Sequence, residues 1–355
     1  MKIRIDNTEV EVKEGQTILE AARIKGIEIP TLCHRDGVEH YSSCMVCMVR
    51  DKKKNNFIPS CSALAQEGMD IDASGDEVVS LRKKAVTLLL AEHRAECEAQ
   101  CRIVCPMGYN IPLMNRLLIA GEHEEAAELI RSEMNWGELN CLTCKAFCEN
   151  ACRRKKIDIP VSIRNIRIFI SKNLPKTAKY NVSPFYSNSD IKKRFSSRVG
   201  SLHEKEQLEW VKECPEDIRR HREISDYAAA SDEALSCMHC DCRAASDCKL
   251  RDLAEKFSLK DPKGKLINAP VAKKINRKTG LIFENAKCIK CGLCVRVVED
   301  STDAPALCFI NRGFVSIISE PLTVEYADIP DSVAKRCVEV CPTGALAFMN
   351  NNNGT

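Results

Sequence analysis

Cysteine dominates the residues that could do chemistry, because 22 of the 355 residues are cysteines. Most of them stand in short groups rather than being scattered along the chain. Thiolates in such groups are preferred ligands of iron–sulfur clusters and zinc, whereas dense disulfides serve small secreted scaffolds. The chain is long, 44% hydrophobic and opens on a strand-like segment rather than a signal peptide. The cysteines therefore predict metal binding in a cytoplasmic protein.

The first group has the spacing C-x10-C-x2-C-x13-C and consists of Cys33, Cys44, Cys47 and Cys61. Three ligands on one long loop and a fourth further along the chain suit a [2Fe–2S] cluster. Structural zinc usually takes two short cysteine pairs, and Cys33 and Cys61 have no close cysteine neighbour. The spacing therefore predicts a [2Fe–2S] centre.

A histidine and three cysteines follow at intervals of four residues, and four more cysteines come later. On a continuous helix, His93 and Cys105 would lie about 18 Å apart at about 1.5 Å per residue, too far for one cubane. Pro106 disfavours a helical Cys105, so we expect Cys105 to belong to a different centre. Eight ligands predict two [4Fe–4S] clusters. They are His93, Cys97, Cys101, Cys105, Cys141, Cys144, Cys148 and Cys152.

The fourth group has the spacing C-x2-C-x1-C-x5-C. Its members are Cys237, Cys240, Cys242 and Cys248. C-x2-C is common to zinc and cluster sites, so the pattern predicts either a [4Fe–4S] cluster or a zinc ion. We expect His239 and Asp241, which stand between these ligands, to orient thiolates rather than to bind the metal.

Hydrophobic periodicity predicts the elements that carry these groups. Residues 2–5 and 9–13 alternate in polarity around an Asp-Asn turn, and the following TILEAARIKG has the apolar spacing of a helix. Residues 78–89 also have helical spacing, with Val78, Leu81, Ala85, Leu88 and Leu89 as the apolar positions. The segment KLRDLAEKF after Cys248 is predicted to be helical.

Composition and charge exclude several functions. Fifty-three basic residues against 50 acidic ones give a net charge of +3, and aromatic residues make up only 5%, which does not favour nucleic-acid binding. The longest apolar stretch, residues 85–91, is far shorter than the roughly 20 residues of a membrane-spanning helix. The sequence has no Gly-x-Gly-x-x-Gly motif and no Walker loop, so no nucleotide site is expected.

The N-terminal motifs DNTEVEVKEGQTILEAARIKGIEIPTLC, SCMVCMV and SCSALAQEGM resemble a known family. It is the β-grasp ferredoxin domain of the large iron–sulfur subunit of NADH-quinone oxidoreductase, iron-only hydrogenases and NAD-linked formate dehydrogenases. Ser43 and Met45 stand where that family usually has Gly and Arg. The resemblance implies a [2Fe–2S] β-grasp domain over residues 1–75.

The motifs CPMGYNIPLMNRLLIAGEHEEAAELIRSEMN and CLTCKAFCENACRRKKIDIPVSIRNI are similar to another iron–sulfur domain. It is shared by the glutamate synthase small subunit and dihydropyrimidine dehydrogenase. By position, the resemblance implies two ligand sets. One consists of His93, Cys97, Cys101 and Cys152, and the other of Cys105, Cys141, Cys144 and Cys148.

The C-terminal motifs KCIKCGLCVRVVED and CPTGALAF resemble a two-cluster bacterial ferredoxin that lacks three of its cysteines. The resemblance implies a single [4Fe–4S] cluster, bound by Cys288, Cys291, Cys294 and Cys341. Cys337 then has no cluster to bind, and we interpret Cys308 and Cys214 as ordinary buried thiols.

These inferences predict an α+β protein. Its parts are a β-grasp domain at 1–75, a helical two-cluster domain at 76–172, a helical linker at 173–235, a four-cysteine site at 236–260 and a ferredoxin-like domain at 283–350. One [2Fe–2S] and three [4Fe–4S] clusters, with a fourth [4Fe–4S] cluster or a zinc ion, suit a subunit that relays electrons. We expect hetero-oligomeric partners, an NAD(P)H-oxidising flavoprotein and a further redox subunit. A zinc-binding scaffold or adaptor without redox function is the alternative.

Overall fold

The computed structural model describes most of the chain outside one long central segment. The described residues are 1–93, 97–133, 140–173, 219–244, 248–259, 273–276, 278–301, 306–313, 316–321 and 329–349. Cys214 and most of the predicted linker at 173–235 lie outside them.

The chain folds into two compact units, and each is built from segments that are distant in sequence. The first unit contains Met1–Arg94, Asp247–Pro270 and Glu284–Leu346. The second contains Ala95–Ser246, Val271–Phe283 and Ala347–Thr355. Four of the predicted cluster-binding cysteines near the N-terminus and four near the C-terminus therefore belong to the same unit.

The first unit begins with a five-stranded sheet in the order β2-β1-β5-β3-β4. The strands are β1 (Lys2–Ile5), β2 (Thr8–Glu11), β3 (Met48–Asp51), β4 (Asn56–Pro59) and β5 (Asp70–Asp72). β1 and β2 form the predicted hairpin, with Ile3 opposite Val10. The left-handed backbone of Asp6 and Asn7 makes the turn, a conformation that Asn and Asp tolerate better than most residues.

Helix α1 (Ile18–Ile24) covers one face of this sheet, as the apolar spacing predicted. Its start is fixed by a capping box in which Thr17 and Glu20 satisfy each other's backbone amides. Ile18, Leu19 and Ala22 on its inner face join strand residues in one buried core, to which the ligand candidates Cys47 and Cys61 also belong.

Helix α2 (Asp76–Glu92) forms where helical spacing predicted it, but its buried face is rotated from the predicted one. Leu88, one of the apolar positions of the predicted helix, is 71% exposed, whereas Arg82 is buried. The Nε of Arg82 donates a hydrogen bond to the carbonyl oxygen of Met48 at 2.9 Å. The hydrogen bond to the Met48 carbonyl of β3 therefore stabilises Arg82 in a buried position.

The first unit also contains helices and strands from the second half of the chain. They are α9 (Lys249–Lys256), α10 (Leu293–Ser301), α11 (Asp331–Val340), β8 (Cys308–Ile310) and β9 (Ile317–Ser319). α9 confirms the helix predicted after Cys248. α10 packs along α11, and β8 pairs with β9. Cys308 is partly exposed on the two-stranded sheet, so its prediction as a buried thiol was wrong.

The second unit is mainly helical. Its helices are α3 (Gln100–Ile103), α4 (Ile111–Ile119), α5 (His123–Ser132), α6 (Phe147–Asn150), α7 (Ile163–Lys172) and α8 (Tyr227–Ala234). α4 packs against α5 and α8, α5 against α7, and α3 against α6. Met114, Leu118, Ile130, Ile166 and Ile170 are fully buried in the resulting core.

A further sheet has the strand order β10-β7-β6. Its strands are β6 (Lys273–Asn276), β7 (Leu281–Glu284) and β10 (Leu346–Phe348).

Candidate iron–sulfur centres

The four N-terminal cysteines lie together at one end of the five-stranded sheet. All four are buried, and the Cys47 and Cys61 sulfur atoms are 3.3 Å apart. Cys33 accepts hydrogen bonds from the thiols of Cys44 and Cys61, which hold the pKa of Cys33 well below its usual range. The same shared protons and burial raise the pKa values of Cys44 and Cys61. The fold therefore brings the predicted [2Fe–2S] ligands together.

Local backbone geometry places these cysteines. The loop between α1 and β3 carries three of them, and Cys61 stands two residues after the end of β4. Ser42 and Met45, which flank Cys44, have φ angles of 52° and 55°. The Ser42 hydroxyl lies 3.5 Å from the Cys61 sulfur. The left-handed turns tighten the loop, so that thiols separated in sequence converge.

The C-terminal set lies in the same unit. Cys294 belongs to α10, and Cys341 follows α11 directly, so the packing of α10 on α11 brings the remote cysteine to the others. The charge of Cys341 contributes to a raised pKa of Cys291, whose main cause is burial. The Lys290 amide donates to the Cys288 sulfur at 3.3 Å. These contacts place the four predicted ligands around one site.

Cys337 is completely buried on α11, and its thiol lies 3.7 Å from the carbonyl oxygen of Cys294. Burial raises its pKa to about 12. Cys337 is thus a buried thiol of the core, and its interpretation as a residue without a cluster stays a prediction.

His93 is buried directly after α2. Its Nδ1 lies 3.0 Å from the carbonyl oxygen of Lys287, and because a carbonyl only accepts hydrogen bonds, Nδ1 carries the proton. Burial lowers the pKa of His93 to about 4, so the ring is neutral. This arrangement leaves the Nε2 lone pair as the one ring site able to bind a metal.

In the second unit, Cys105, Cys141, Cys144 and Cys148 surround one position. Cys105 follows α3, Cys141 lies in the short 3-10 turn Asn140–Leu142, and Cys148 lies in α6. The charges of Cys105 and Cys144 act on Cys141, and those of Cys105 and Cys141 act on Cys148. Burial is the main cause that raises the pKa of Cys148 to about 12. The fold brings this predicted set together.

Arg167 is a residue of this site that the sequence analysis missed. Its guanidinium is fully buried on α7, stacks 3.8 Å above the Tyr109 ring and forms an ion pair with Glu133 at 2.9 Å. It also lies beside Cys141, whose pKa it lowers against the larger effect of burial. The sequence feature that could have indicated Arg167 is its position between Ile166 and Ile170, on the apolar face of the helix.

Cys101 and Cys152 also lie close together, as predicted, but other thiols lie with them. The pKa of Cys101 is raised well above its usual value by burial first, then by Cys152, Cys237 and Cys240. Cys152 is likewise an electrostatic neighbour of Cys237 and of Cys240. Thiols that the sequence placed in two sets thus share one environment.

Asp241 lies between the cysteines of the fourth group and is buried. Both of its carboxylate oxygens accept hydrogen bonds of 2.9 Å from the guanidinium of Arg116 on α4. This pair lowers the pKa of Asp241 despite burial. His239 is also buried, with a φ angle of 45° and no hydrogen-bond partner at Nδ1. Asp241 therefore positions the loop by binding an arginine.

Cys248 belongs to the first unit, where it is buried at the start of α9. Among the residues described, no three His, Cys, Asp or Glu side chains converge closely enough to hold a single metal ion. A cubane is larger than one ion, because each of its four thiolates binds a different iron atom. The buried thiols described above surround a shared position, but no three of them approach a single point. This arrangement fits a cubane, whose four iron atoms each bind a different thiolate.

Three segments of the chain match known protein families. Residues 1–75 match a 2Fe-2S iron–sulfur cluster binding domain. Residues 74–179 match the family described as dihydropyrimidine dehydrogenase domain II, 4Fe-4S cluster. Residues 281–347 match the ferredoxin-like domain of NADH-quinone oxidoreductase subunit 3. The domains that bind 2Fe-2S and 4Fe-4S groups are thus present, in the predicted order.

Several proteins match parts of the chain. A subunit of an NADH-quinone oxidoreductase of Rhizobium meliloti is 30% identical over 124 residues, which are 35% of this chain and 14% of that protein. The γ subunit of the NAD-reducing hydrogenase HoxS of Cupriavidus necator is 29% identical over 119 residues, 32% of this chain and 50% of that protein. The matched part therefore spans half or less of each of these relatives.

A solved structure shares the fold. A chain of the NAD+-reducing [NiFe]-hydrogenase in the H2-reduced state aligns with a TM-score of 0.53 at 16% identity, over 99% of this chain and 88% of that chain. Within the part of the chain that the structure describes, none of the helices has the length and apolar character that spanning a membrane requires.

From these comparisons, the chain combines a 2Fe-2S domain, a dihydropyrimidine-dehydrogenase-type 4Fe-4S domain and a ferredoxin-like domain, and it resembles subunits of NADH-quinone oxidoreductases and NAD-reducing hydrogenases.

Proposed function

We propose that this chain is an electron-transfer subunit that relays single electrons between an NAD(P)H-oxidising flavoprotein and another redox enzyme of a cytoplasmic complex. Its centres are one [2Fe–2S] cluster and three [4Fe–4S] clusters, with a further cubane or a zinc ion. Such clusters, when bound, accept and donate one electron at a time. The β-grasp, helical two-cluster and bacterial-ferredoxin-like assignments, with their domain limits, belong to the same proposal.

The observation that carries this proposal is the proximity of two predicted centres in the first unit. Cys33 of the N-terminal set lies close enough to Cys291 of the C-terminal set for its charge to raise the pKa of Cys291. The Tyr41 ring, from the loop that carries Cys33 and Cys44, packs on Gly292 next to Cys291, where a Cβ would lie 2.5 Å from two ring atoms. Electron tunnelling weakens steeply with distance, so neighbouring ligand sets are what a relay requires.

The protein's own groups would hold and tune these centres. Burial of the thiols excludes water, and the Lys290 amide donates a hydrogen bond to the Cys288 sulfur. Arg167 places a buried positive charge beside Cys141. Hydrogen bonds and charges near the sulfur atoms are recognised means of setting cluster potentials.

Hydride chemistry belongs to a partner in this proposal. The sequence has no Gly-x-Gly-x-x-Gly motif that would bind a dinucleotide. The names of the relatives support this division of labour, because they describe subunits of NAD-linked oxidoreductases.

An anaerobic reduction experiment tests the relay. The purified chain is mixed with NADH alone, or with photoreduced 5-deazaflavin as a one-electron donor, and is followed by visible absorption and EPR. We expect NADH alone to cause no change. The deazaflavin radical should bleach the chain, and the reduced chain should then pass its electrons to cytochrome c. Bleaching by NADH alone, or no bleaching by the radical, would refute the proposed function.

A further inference from the structure

We propose that Cys101, Cys152, Cys237 and Cys240 ligate one [4Fe–4S] cluster. These four residues are hereafter the helical-unit set. The proposal rests on the proposed function, since it assumes that the chain binds cubanes. It replaces the sequence-based division, in which Cys101 and Cys152 were grouped with His93 and Cys97, and Cys237 and Cys240 with Cys242 and Cys248.

The first two members come from elements that pack on each other. Cys101 lies in α3, Cys152 follows α6, and α3 packs against α6. Both cysteines pack on the core of the second unit, and so does Cys237. Three of the four thiols therefore lie against the same helical core.

Two hydrogen bonds, one from a side chain and one between backbones, bring the segment with Cys237 and Cys240 to this place. Before it, the carbonyl oxygen of Ser236 accepts a hydrogen bond of 3.4 Å from Arg154, which stands two residues after Cys152. After it, the amide of Cys242 donates to the carbonyl oxygen of Cys97 at 3.1 Å, four residues before Cys101. The segment is thus attached at one end near Cys152 and at the other near Cys101.

Helix α4 supports the same segment from the core side. Arg116 binds both carboxylate oxygens of Asp241 at 2.9 Å, with both side chains largely buried. One residue earlier, Asn115 is completely buried, and its side-chain amide lies within hydrogen-bonding reach of the Cys237 sulfur.

The neighbouring groups suit an anionic cluster. A buried amide needs an acceptor, and a cluster-bound sulfur atom, which carries negative charge, would accept the Asn115 N–H more strongly than a neutral thiol does. Arg153 is buried beside Cys240, where its positive charge favours negative charge on the sulfur. An anionic cluster at this position therefore gives both groups a function that four neutral thiols would not.

Loss of iron in single and double variants decides between the two divisions. Cys101→Ser and Cys237→Ser are each expected to lose about four irons per chain, or to convert a cubane to a three-iron cluster. If both residues ligate one cubane, the double variant loses at most about four irons, those of that one cubane, and lacks the same EPR signal as the single variants. Cys308→Ser, a cysteine outside every set, is the matched control and should lose none.

The opposite result would support the sequence-based division. In that case two centres disappear, so the double variant would lose about eight irons, or about four irons and one zinc ion if the fourth group binds zinc. Cys97→Ser would then remove the same signal as Cys101→Ser, whereas our proposal expects that signal to persist. A retained signal from the cubane of Cys105, Cys141, Cys144 and Cys148, which belong to the same unit, shows that this unit is folded in each variant. Protein that binds no iron or sulfide at all would refute the proposed function itself.

A variant that keeps all ligands provides an independent test. Asn115→Leu removes the amide but preserves a helix-forming side chain of similar size. We expect it to lower the midpoint potential of the signal that Cys237→Ser and Cys101→Ser both abolish, because a hydrogen bond to sulfur is lost. A shift in any other signal alone, or in none, would overturn the proposal.

Discussion

The N-terminal cysteine set and the helical-unit set are built in different ways. The first lies within residues 33–61, on loops that join neighbouring elements of one small sheet domain, and its thiols are already linked by hydrogen bonds. The helical-unit set spans residues 101–240, and its members come from three segments of the chain. The first set is therefore local, whereas the second depends on long-range packing.

This contrast identifies what holds each site. Around the N-terminal set, the main supports are a continuous apolar core and a capped helix. Around the helical-unit set, buried polar contacts such as Arg116 with Asp241 connect elements that are far apart in sequence. Perturbing a buried ion pair should therefore disturb the second region most, and perturbing apolar packing should disturb the first.

The largest expected effect is that of Arg116→Leu. Removing the arginine leaves the buried Asp241 without its partner, and breaking a buried pair in this way costs about 3–5 kcal/mol. We expect the urea midpoint of the cluster-loaded protein, measured without oxygen, to fall for the second unit. The [2Fe–2S] signal should persist beyond the loss of the helical-unit signal.

The double variant Arg116→Leu/Asp241→Leu is the control for this prediction. Replacing both partners removes the unpaired charge, so part of the lost stability should return. If the single variant were as stable as the parent protein, the pair would not be what fixes the loop.

A smaller effect is expected in the other region for Leu19→Ala. Leu19 is completely buried between α1 and the sheet, and truncation of such a side chain costs about 2–5 kcal/mol. The [2Fe–2S] signal should be lost at a lower urea concentration, whereas the helical-unit signal should be unaffected. Simultaneous loss of both signals would contradict the proposed contrast between the regions.

Thr17→Ala should have a milder effect on the same region. It removes the side-chain oxygen that caps α1, which costs about 1 kcal/mol. Thr17→Ser keeps this oxygen and is the matched control. Urea unfolding followed by the [2Fe–2S] absorption should separate the two variants, and equal midpoints would show that the cap is unimportant.

Lys2→Ala should have the smallest effect. Lys2 forms an ion pair with Glu9 across the hairpin at 2.6 Å, but both side chains are more than half exposed. Exposed pairs are screened by solvent and contribute little. No measurable change in the urea midpoint is expected. A clear loss of stability would mean that charged contacts matter in the N-terminal region as well.

Local features of the fold could be predicted from the sequence. The hairpin around Asp6 and Asn7 and helix α1 follow from short-range alternation, turn chemistry and capping. The N-terminal cysteines could also be grouped by spacing, because one small domain holds all four. The buried face of α2 could not be predicted, because a hydrogen bond from Arg82 to β3 overrides the apolar pattern.

The remote parts of the candidate site could not be predicted in the same way. Spacing groups Cys237 with Cys242, yet the backbone of Cys242 binds that of Cys97, and Cys237 lies beside Cys152. The role of Arg167 could not be predicted for a similar reason. An arginine in an apolar stripe is explained only by its contacts with Tyr109 and Glu133, which lie far from it in sequence. Contacts between distant segments of the chain cannot be predicted from the spacing of residues that are close in sequence.

The most direct test of the central claim is the iron and acid-labile sulfide content of the anaerobically purified chain. Iron bound with a nearly equal amount of sulfide, about 14 irons for four centres or about 18 for five, is the predicted result. Zinc without sulfide, or a colourless chain that stays empty after reconstitution with iron and sulfide, would contradict the account.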